Sequence, residues 1–372
     1  MNIGRRVKEL RESWSLSQRQ LADVLELKNS QSISDIEKGN RALKAYELSL
    51  LSGYFHITIE ELLGLKNTDK PVVQWRSNNL PVNLEDESKF IQRCRNYKYV
   101  TECTGYNHSR VLPQIPNYSP QTTSYEDVNE LAHGFRKALS LGDKPAYSIR
   151  SALEDEWGIC IFLEKLSDSS AACTKGKFGL GILVNSEDSR WRQNYSLGHE
   201  LFHLITWGDE IQPLEWSAAA KKRNETLADV FASALLMPEE SVRSDFKKLV
   251  SNKSIQWYDI LMLARSYDVS TISLLWRLTN LDLIPKRTPK DFQSSNELSK
   301  LDRDLSRGEN ISSPHLPERY VRLAYKAYND NRISIGRLAE LLETSVSELG
   351  DELQQYDILL YDNAYKATIS TA

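Results

Sequence analysis

The first third of the chain alternates short helical runs with turn-forming residues. Apolar positions recur at helical spacing as Ile3, Val7 and Leu10, then Leu21, Ala22, Val24 and Leu25, then Ile33 and Ile36. Ser17-Gln18-Arg19-Gln20 reads as a capping box, with Ser17 as N-cap and Gln20 three positions on. A turn over Glu26–Asn29 precedes a third helix from about Ser30 to Lys38, which Gly39 stops. Helices over Ala45–Phe55 and Thr58–Leu63 complete a predicted bundle of five. Asn67–Pro81 is polar, carries two prolines and reads as a linker, and Val82–Cys103 reads as one helix. Residues 104–124, with Pro113, Pro116 and Pro120, read as an irregular crossing.

From Tyr125 the helical period returns in Val128, Leu131, Ala132 and Phe135, followed by a second helix around Ser148–Trp157. Gly158–Leu163 and Phe178–Asn185 are continuous apolar runs and predict strands, with Ala171–Lys177 as a turn between them. Leu197, Leu201, Leu204 and Ile205 form the stripe of a further helix, with Gly208 as its stop. The next starts near Asn224, ends before Pro238 and buries Leu227, Phe231, Ala234 and Leu235. Trp257–Leu281 is apolar at helical spacing, and Leu263-Ala264-x-x-Tyr267-x-Val269-Ser270-x-x-x-Leu274 has the shape of a helix-turn-helix pair. The same shape recurs more faintly from Ile335 to Leu349. Residues 286–313 read as a polar crossing, and the last twenty residues show no readable chemistry. The expected fold is mainly α with a small β-sheet, an α+β arrangement.

Composition narrows the function classes. A chain of 372 residues with 40% apolar and 26% charged content fits two or three globular domains. A net charge of −4 gives no whole-chain attraction to nucleic acid, so any DNA contact must be local. Cys94, Cys103, Cys160 and Cys173 are scattered without a Cys-x-x-Cys pair. They read as reduced thiols in a cytoplasmic protein, against both a disulfide framework and a cysteine-based zinc site. The N-terminus lacks the apolar run of a signal peptide, and no apolar segment is long enough for a membrane span.

The sharpest chemical signal is His199-Glu200-Leu201-Phe202-His203. On a helix the two histidines are i and i+4, so both imidazoles face one metal ion, and Glu200 can take a proton from a metal-activated water. The plain alternative is a buried helix with two packed histidines. Histidine is scarce here, six in all, which makes the spacing less easily accidental. A catalytic zinc needs one more protein ligand. Glu225 and Asp229, i and i+4 on the downstream helix, offer a ligand and an acceptor for the far nitrogen of a zinc histidine. The alternative for both is a pair of solvated acids at a helix start. Gly179–Asn185 is a candidate for pairing with substrate backbone. Tyr195, His133 and His315 are candidates for a second oxyanion donor; the plain alternative is that Tyr195 simply packs and that the two histidines are structural or exposed.

Two family resemblances follow from these residues. Leu16-Ser17-Gln18-x-x-Leu21-Ala22, Ile33-Ser34-x-Ile36-Glu37-x-Gly39-x-Arg41 and Ile57-x-Ile59-x-Glu61-Leu62-Leu63-Gly64 resemble the phage-repressor (XRE) type of helix-turn-helix domain. The resemblance implies a third helix in the major groove of a double-stranded DNA operator. Gln31 and Ser32 would then reach base edges, Gln18 would hold phosphate or back up Gln31, and Arg19, Arg41 and Lys44 would hold phosphate. A single copy implies a homodimer. His199-Glu200-x-x-His203 with Glu225-x-x-Ala228-Asp229-x-Phe231-Ala232-x-x-Leu235-Leu236-Met237-Pro238 resembles the ImmA/IrrE metallopeptidases. That implies Zn²⁺ on His199, His203 and Glu225, Glu200 as base, and a protein substrate, a repressor of the helix-turn-helix type. The expected domains are 1–66 (DNA-binding), 67–124 (linker and helix), 125–285 (zinc peptidase) and 286–372 (helical). The alternatives are a regulator that uses its zincin-like domain only as a sensor, or an antitoxin-like protein.

Overall fold

A computed structural model describes residues 3–55, 57, 59–63, 72–77, 84–106, 110–167, 169–207, 216–252, 255–305 and 316–360. The N-terminal helices are α1 (Ile3–Ser13), α2 (Gln18–Val24), α3 (Gln31–Lys38), α4 (Ala45–Tyr54) and α5 (Ile59–Leu62). Their core is Val7, Leu21, Ala22, Leu25, Ile33, Ile36, Leu51, Phe55 and Leu62, all buried. The capping box forms as the sequence indicates: the Ser17 hydroxyl accepts from Gln20 N, and Gln20 Oε1 accepts from Ser17 N. Gly39 ends α3 in the left-handed conformation, at φ 79°. Gly4 on α1 lets the two helices touch, since a Cβ there would lie 2.1 Å from the carbonyl oxygen of Ile36 on α3.

β1 (Val72–Ser77) and α6 (Leu84–Thr104) follow. β1 lies inside the stretch that reads as linker. Its Val-Val-Gln-Trp core is too short to stand out between prolines, and pairing supplies what the sequence pattern does not show. After the irregular crossing come α7 (Tyr125–Ala138), a 3₁₀ turn at Pro145–Tyr147 and α8 (Ile149–Trp157). The strands are β2 (Cys160–Glu164), β3 (Ser169–Gly176) and β4 (Gly179–Asn185). The expected turn over Ala171–Lys177 is therefore mostly strand. Its Ala-Ala-Cys-Thr run is buried, although its small side chains give no clear period.

Among the described residues the sheet order is β1-β3-β4-β2. β2 and β4 run parallel, with Cys160 opposite Gly181 and Glu164 opposite Asn185. The Asn185 side chain closes the end of the sheet by donating to the carbonyls of Leu166 and Ser169. β4 has a neighbour on each side, so Gly179–Asn185 is not free to pair with a substrate, contrary to expectation.

α9 (Arg190–Thr206) packs on this sheet and on α10 (Ala218–Leu236). It is buried from Ser196 to Thr206. Gly198 is the point of closest approach: a Cβ there would stand 3.2 Å from both Cα and Cβ of Ala232 on α10. α10 begins at Ala218 under an N-cap from Ser217, not near Asn224. Glu225 and Asp229 thus lie well inside the helix, where the preference of acids for a helix start no longer accounts for them.

The chain continues through α11 (Glu239–Asn252), α12 (Trp257–Ser266), α13 (Thr271–Asn280), α14 (Thr288–Ser294), α15 (Asn296–Leu305), α16 (Glu318–Asn329), α17 (Ile335–Leu341) and α18 (Leu349–Gln354). α14 and α15 occupy much of the expected polar crossing; Pro289 sits in the first turn of α14, where proline is tolerated. Among the described residues six helices end in one turn: Glu26, Ser140, Asp268, Asp282, Asn331 and Glu343 each adopt φ between 51° and 57° directly after a helix C-cap. Gly64, Gly208, His315 and the last twelve residues lie outside the described set.

Candidate metal centre and nucleic-acid interface

α9 and α10 bring three side chains of the sequence motifs together. His203 Nε2 lies 3.0 Å from His199 Nε2, and Glu225 Oε2 lies 3.0 Å from His199 Nε2. The other Glu225 oxygen is 3.5 Å from His203 Nε2. Ligand atoms in a tetrahedral zinc shell, with bonds of about 2.0–2.1 Å, stand about 3.3 Å apart, so this donor set fits a metal ion. Burial would lower the basicity of His199, but the hydrogen bonds with Asp229 and Glu225 outweigh it and leave its pKa raised. Burial would raise the Glu225 carboxyl. The bonds from His199 and His203 reverse that and hold it well below the usual carboxylate range.

The far nitrogens are held as well. Asp229 Oδ1 is 2.9 Å from His199 Nδ1, which holds a proton on that nitrogen and fixes the ring. His203 Nδ1 meets the Asn224 amide at 3.1 Å, and the other end of that amide meets the Tyr118 hydroxyl at 2.6 Å. In this arrangement the Tyr118 hydroxyl donates to Asn224 Oδ1, and Asn224 Nδ2 is the atom that faces His203 Nδ1.

Sequence reasoning does not single out Asn224 or Tyr118. Asn224 directly precedes Glu225, and its signal emerges only once α10 is known to begin six residues earlier. Arg76 of β1 was missed too: its Nη2 is 3.3 Å from Asp229 Oδ1 and its Nη1 is 3.3 Å from Ser196 Oγ.

Glu200 is fully buried, and the weak thiol donor of Cys173 is what its carboxylate meets among the described residues. A buried carboxylate so weakly met is costly unless something in the working state engages it. Cys173 of β3 lies beside it; burial, with Glu200 and Glu225 nearby, pushes that thiol well up. Phe202, also fully buried, packs edge-on to Tyr118 and against Phe231. The Tyr195 hydroxyl donates to the Asp229 carbonyl at 3.0 Å, and His133 meets Arg136 on α7.

On the N-terminal unit α3 keeps Ile33 and Ile36 inward and leaves Gln31 and Lys38 exposed and Ser32 half-buried. Gln31 Nε2 donates to Asp35, and Ser32 is held by Asn29. Gln18 donates to Glu37 Oε2 at 2.8 Å, and Arg11 pairs with the other oxygen at 2.6 Å. Arg19 pairs with Asp23 and also reaches the Lys28 carbonyl. Arg41 bonds both oxygens of the buried Glu47, while Lys44 is exposed and stands 5.8 Å from the ring centre of Tyr46.

The other helix pairs differ. On α13 Trp276 and Asn280 are exposed, Ile272 and Ser273 are half-buried, and Arg277 is buried, donating to the Met237 carbonyl. That pair packs into the core that holds α10. α18 exposes Gly350, Asp351 and Gln354.

This α+β metal-site fold agrees with the family comparisons: residues 156–279 match the IrrE N-terminal-like domain, and residues 7–62 match a helix-turn-helix family. The chain therefore carries an XRE-type helix-turn-helix domain followed by an IrrE-like peptidase domain. A curated relative is the radiation response metalloprotease IrrE of Deinococcus radiodurans, 30% identical over 109 residues. The match covers 28% of this chain and about a third (32%) of that protein. No helix among the described residues is long and apolar enough to cross a membrane.

Proposed function

We propose that the protein is a DNA-binding transcriptional regulator with zinc-dependent endopeptidase activity directed at a protein substrate, a repressor of the helix-turn-helix type. The observation that carries this reading is the convergence of His199, His203 and Glu225 beside the buried carboxylate of Glu200. His199, His203 and Glu225 would hold Zn²⁺. When bound, zinc supplies the Lewis acidity that acidifies water and polarises a peptide carbonyl. Glu200 takes the proton from the attacking water and returns it to the leaving amine nitrogen. Asp229 holds the His199 proton on Nδ1, which turns Nε2 to the ion, and Asn224 fixes the orientation of the His203 ring. α9 excludes bulk water from the histidines, which are 1% and 3% exposed.

Gln31 and Ser32 would read base edges, with Arg19, Arg41 and Lys44 on phosphates and Gln18 supporting α3 through Glu37. A homodimer supplies the second half-site contact. The free thiols of Cys94, Cys103, Cys160 and Cys173 suit a cytoplasmic setting.

A sensor without proteolysis would need the three ligands but not Glu200. Zinc content and repressor cleavage, measured on wild type, Glu225→Ala and Glu200→Gln, separate the readings. The expected result is about one zinc per chain in wild type and Glu200→Gln, loss of zinc in Glu225→Ala, and cleavage by wild type alone. Zinc retained with no cleavage of any helix-turn-helix repressor from the same locus would favour the sensor. No zinc uptake by wild type would remove both readings.

A further inference from the structure

β3 reaches the candidate metal centre through Cys173, which stands beside Glu200 and Glu225. One side of β3 bonds to β4 and the other to β1. β1 is fastened twice. The Ser169 hydroxyl donates to the Arg76 carbonyl at 2.9 Å, and the Arg76 guanidinium reaches Ser196 on α9 and Asp229 on α10. The same guanidinium lies 5.4 Å from the ring centre of Tyr195. The oxygen it meets on Asp229 is the one that receives His199 Nδ1. An extended peptide brought to this centre would find its backbone partners on the outer edge of β3, since an unpaired strand edge presents a row of free amides and carbonyls. β4 is interior, and β1 already fills that edge.

We propose that β1 is a built-in competitor: the segment following the helix-turn-helix domain occupies the place of the substrate backbone, with Arg76 as its latch, and must leave β3 before an extended substrate can pair there. The proposal rests on the peptidase reading of the site. A strand tethered in the same chain competes at an effective concentration of order millimolar, so a free peptide of similar intrinsic affinity is largely shut out while the strand stays docked. Arg76→Glu sets a carboxylate against Asp229 and releases the latch. Gln74→Pro and Trp75→Pro test the backbone instead: neighbouring amides of a strand face opposite sides, so one of the two substitutions removes a bond to β3.

The test uses the full-length, zinc-supplied protein and a capped, dye-labelled peptide of the sequence Val-Val-Gln-Trp-Arg-Ser. Peptide binding is read by fluorescence anisotropy, amide hydrogen exchange over residues 170–174 is measured in parallel, and zinc is assayed on every sample. Arg76→Glu and one of the two proline variants should bind the peptide at least tenfold more tightly than wild type, and their 170–174 amides should exchange at least tenfold faster without peptide. Equal binding and equal exchange in wild type and all three variants would overturn the proposal and show β1 to be a permanent fourth strand. Zinc retained in that case leaves the peptidase reading standing. A gain in peptide binding by protein that takes up no zinc would show that β1 can leave β3 but would overturn its role as a competitor of substrate, because the peptidase reading falls with it.

Discussion

α3 and α9 are each seated through a glycine contact, and they differ in how much surface they leave to solvent. Gly4 admits the end of α3 against α1, and Gly198 admits α10 against α9. α3 then buries one stripe and shows the rest, whereas α9 is enclosed on every side from Ser196 onward. The chemistry of an enclosed helix is set by its own packing partners, which fix the orientation of each ligand. The chemistry of an exposed helix is completed by whatever docks on it. Substitutions at the enclosed site should therefore change binding through geometry, and those on the exposed helix should change binding with the fold left intact.

The largest effect is expected at Glu225. Replacing it with alanine removes a ligand atom, so zinc affinity should fall by more than the roughly 10–100-fold that loss of an outer partner costs. Competition with a chelating dye measures this. The fold should survive, because the Glu225 side chain is half-exposed.

Glu154 on α8 sharpens the point by contrast. Unlike Glu225 it is buried, and no imidazole answers it. Burial, opposed by Arg150 and Arg319, pushes its carboxyl from the ordinary 4.5 up to about 7. The unfolded chain therefore loses this proton at lower pH than the folded one. The stability difference is absent below pH 4.5 and grows as pH rises to about 7. Glu154→Gln should match wild type in thermal unfolding at pH 4 and exceed it above pH 7, by up to about 3 kcal/mol. A constant difference across that range would contradict the assignment.

Next comes Gly4→Ala. A methyl group 2.1 Å from a backbone oxygen forces α1 and α3 apart, at a cost of about 1–3 kcal/mol, seen as faster hydrogen exchange across residues 3–55. The smallest stability effect is expected at Gln31→Ala: a change within about 0.5 kcal/mol in unfolding, but an operator affinity reduced by about 1–3 kcal/mol in a titration at fixed salt.

How legible each region was follows from the same contrast. The spacing of His199 and His203 is dictated by helical geometry and metal bond lengths, so the sequence states it outright. Glu225 and Asp229 could be found because they repeat that spacing on the next helix. Asn224 and Tyr118 could not, since a hydrogen-bonding amide or phenol has no fixed place in sequence relative to the group it holds. β1 was hidden for another reason: six residues between polar, proline-bearing flanks carry too little pattern to outweigh their surroundings. In the N-terminal unit the periodicity and the capping box marked the helices. The sequence could not show that Gln18 would be drawn to Glu37 or Arg41 to Glu47, because those pairs form only when the helices meet. α13 shows the limit of shape alone, for its pair repeats the turn of α2 and α3 yet buries most of the helix that would need to face outward.

The metal centre also bears on the order in which the molecule comes together. The hydrogen bonds around it join residues far apart in the chain: Tyr118 to Asn224 across 106 positions and Arg76 to Asp229 across 153. Each closes a large loop, and loops of that length close after local helices have formed. A metal ion that binds only the assembled ligand set would withdraw the folded form from the folding equilibrium by mass action. Zinc availability would then govern how much of the chain persists in its native form as well as what that form can do.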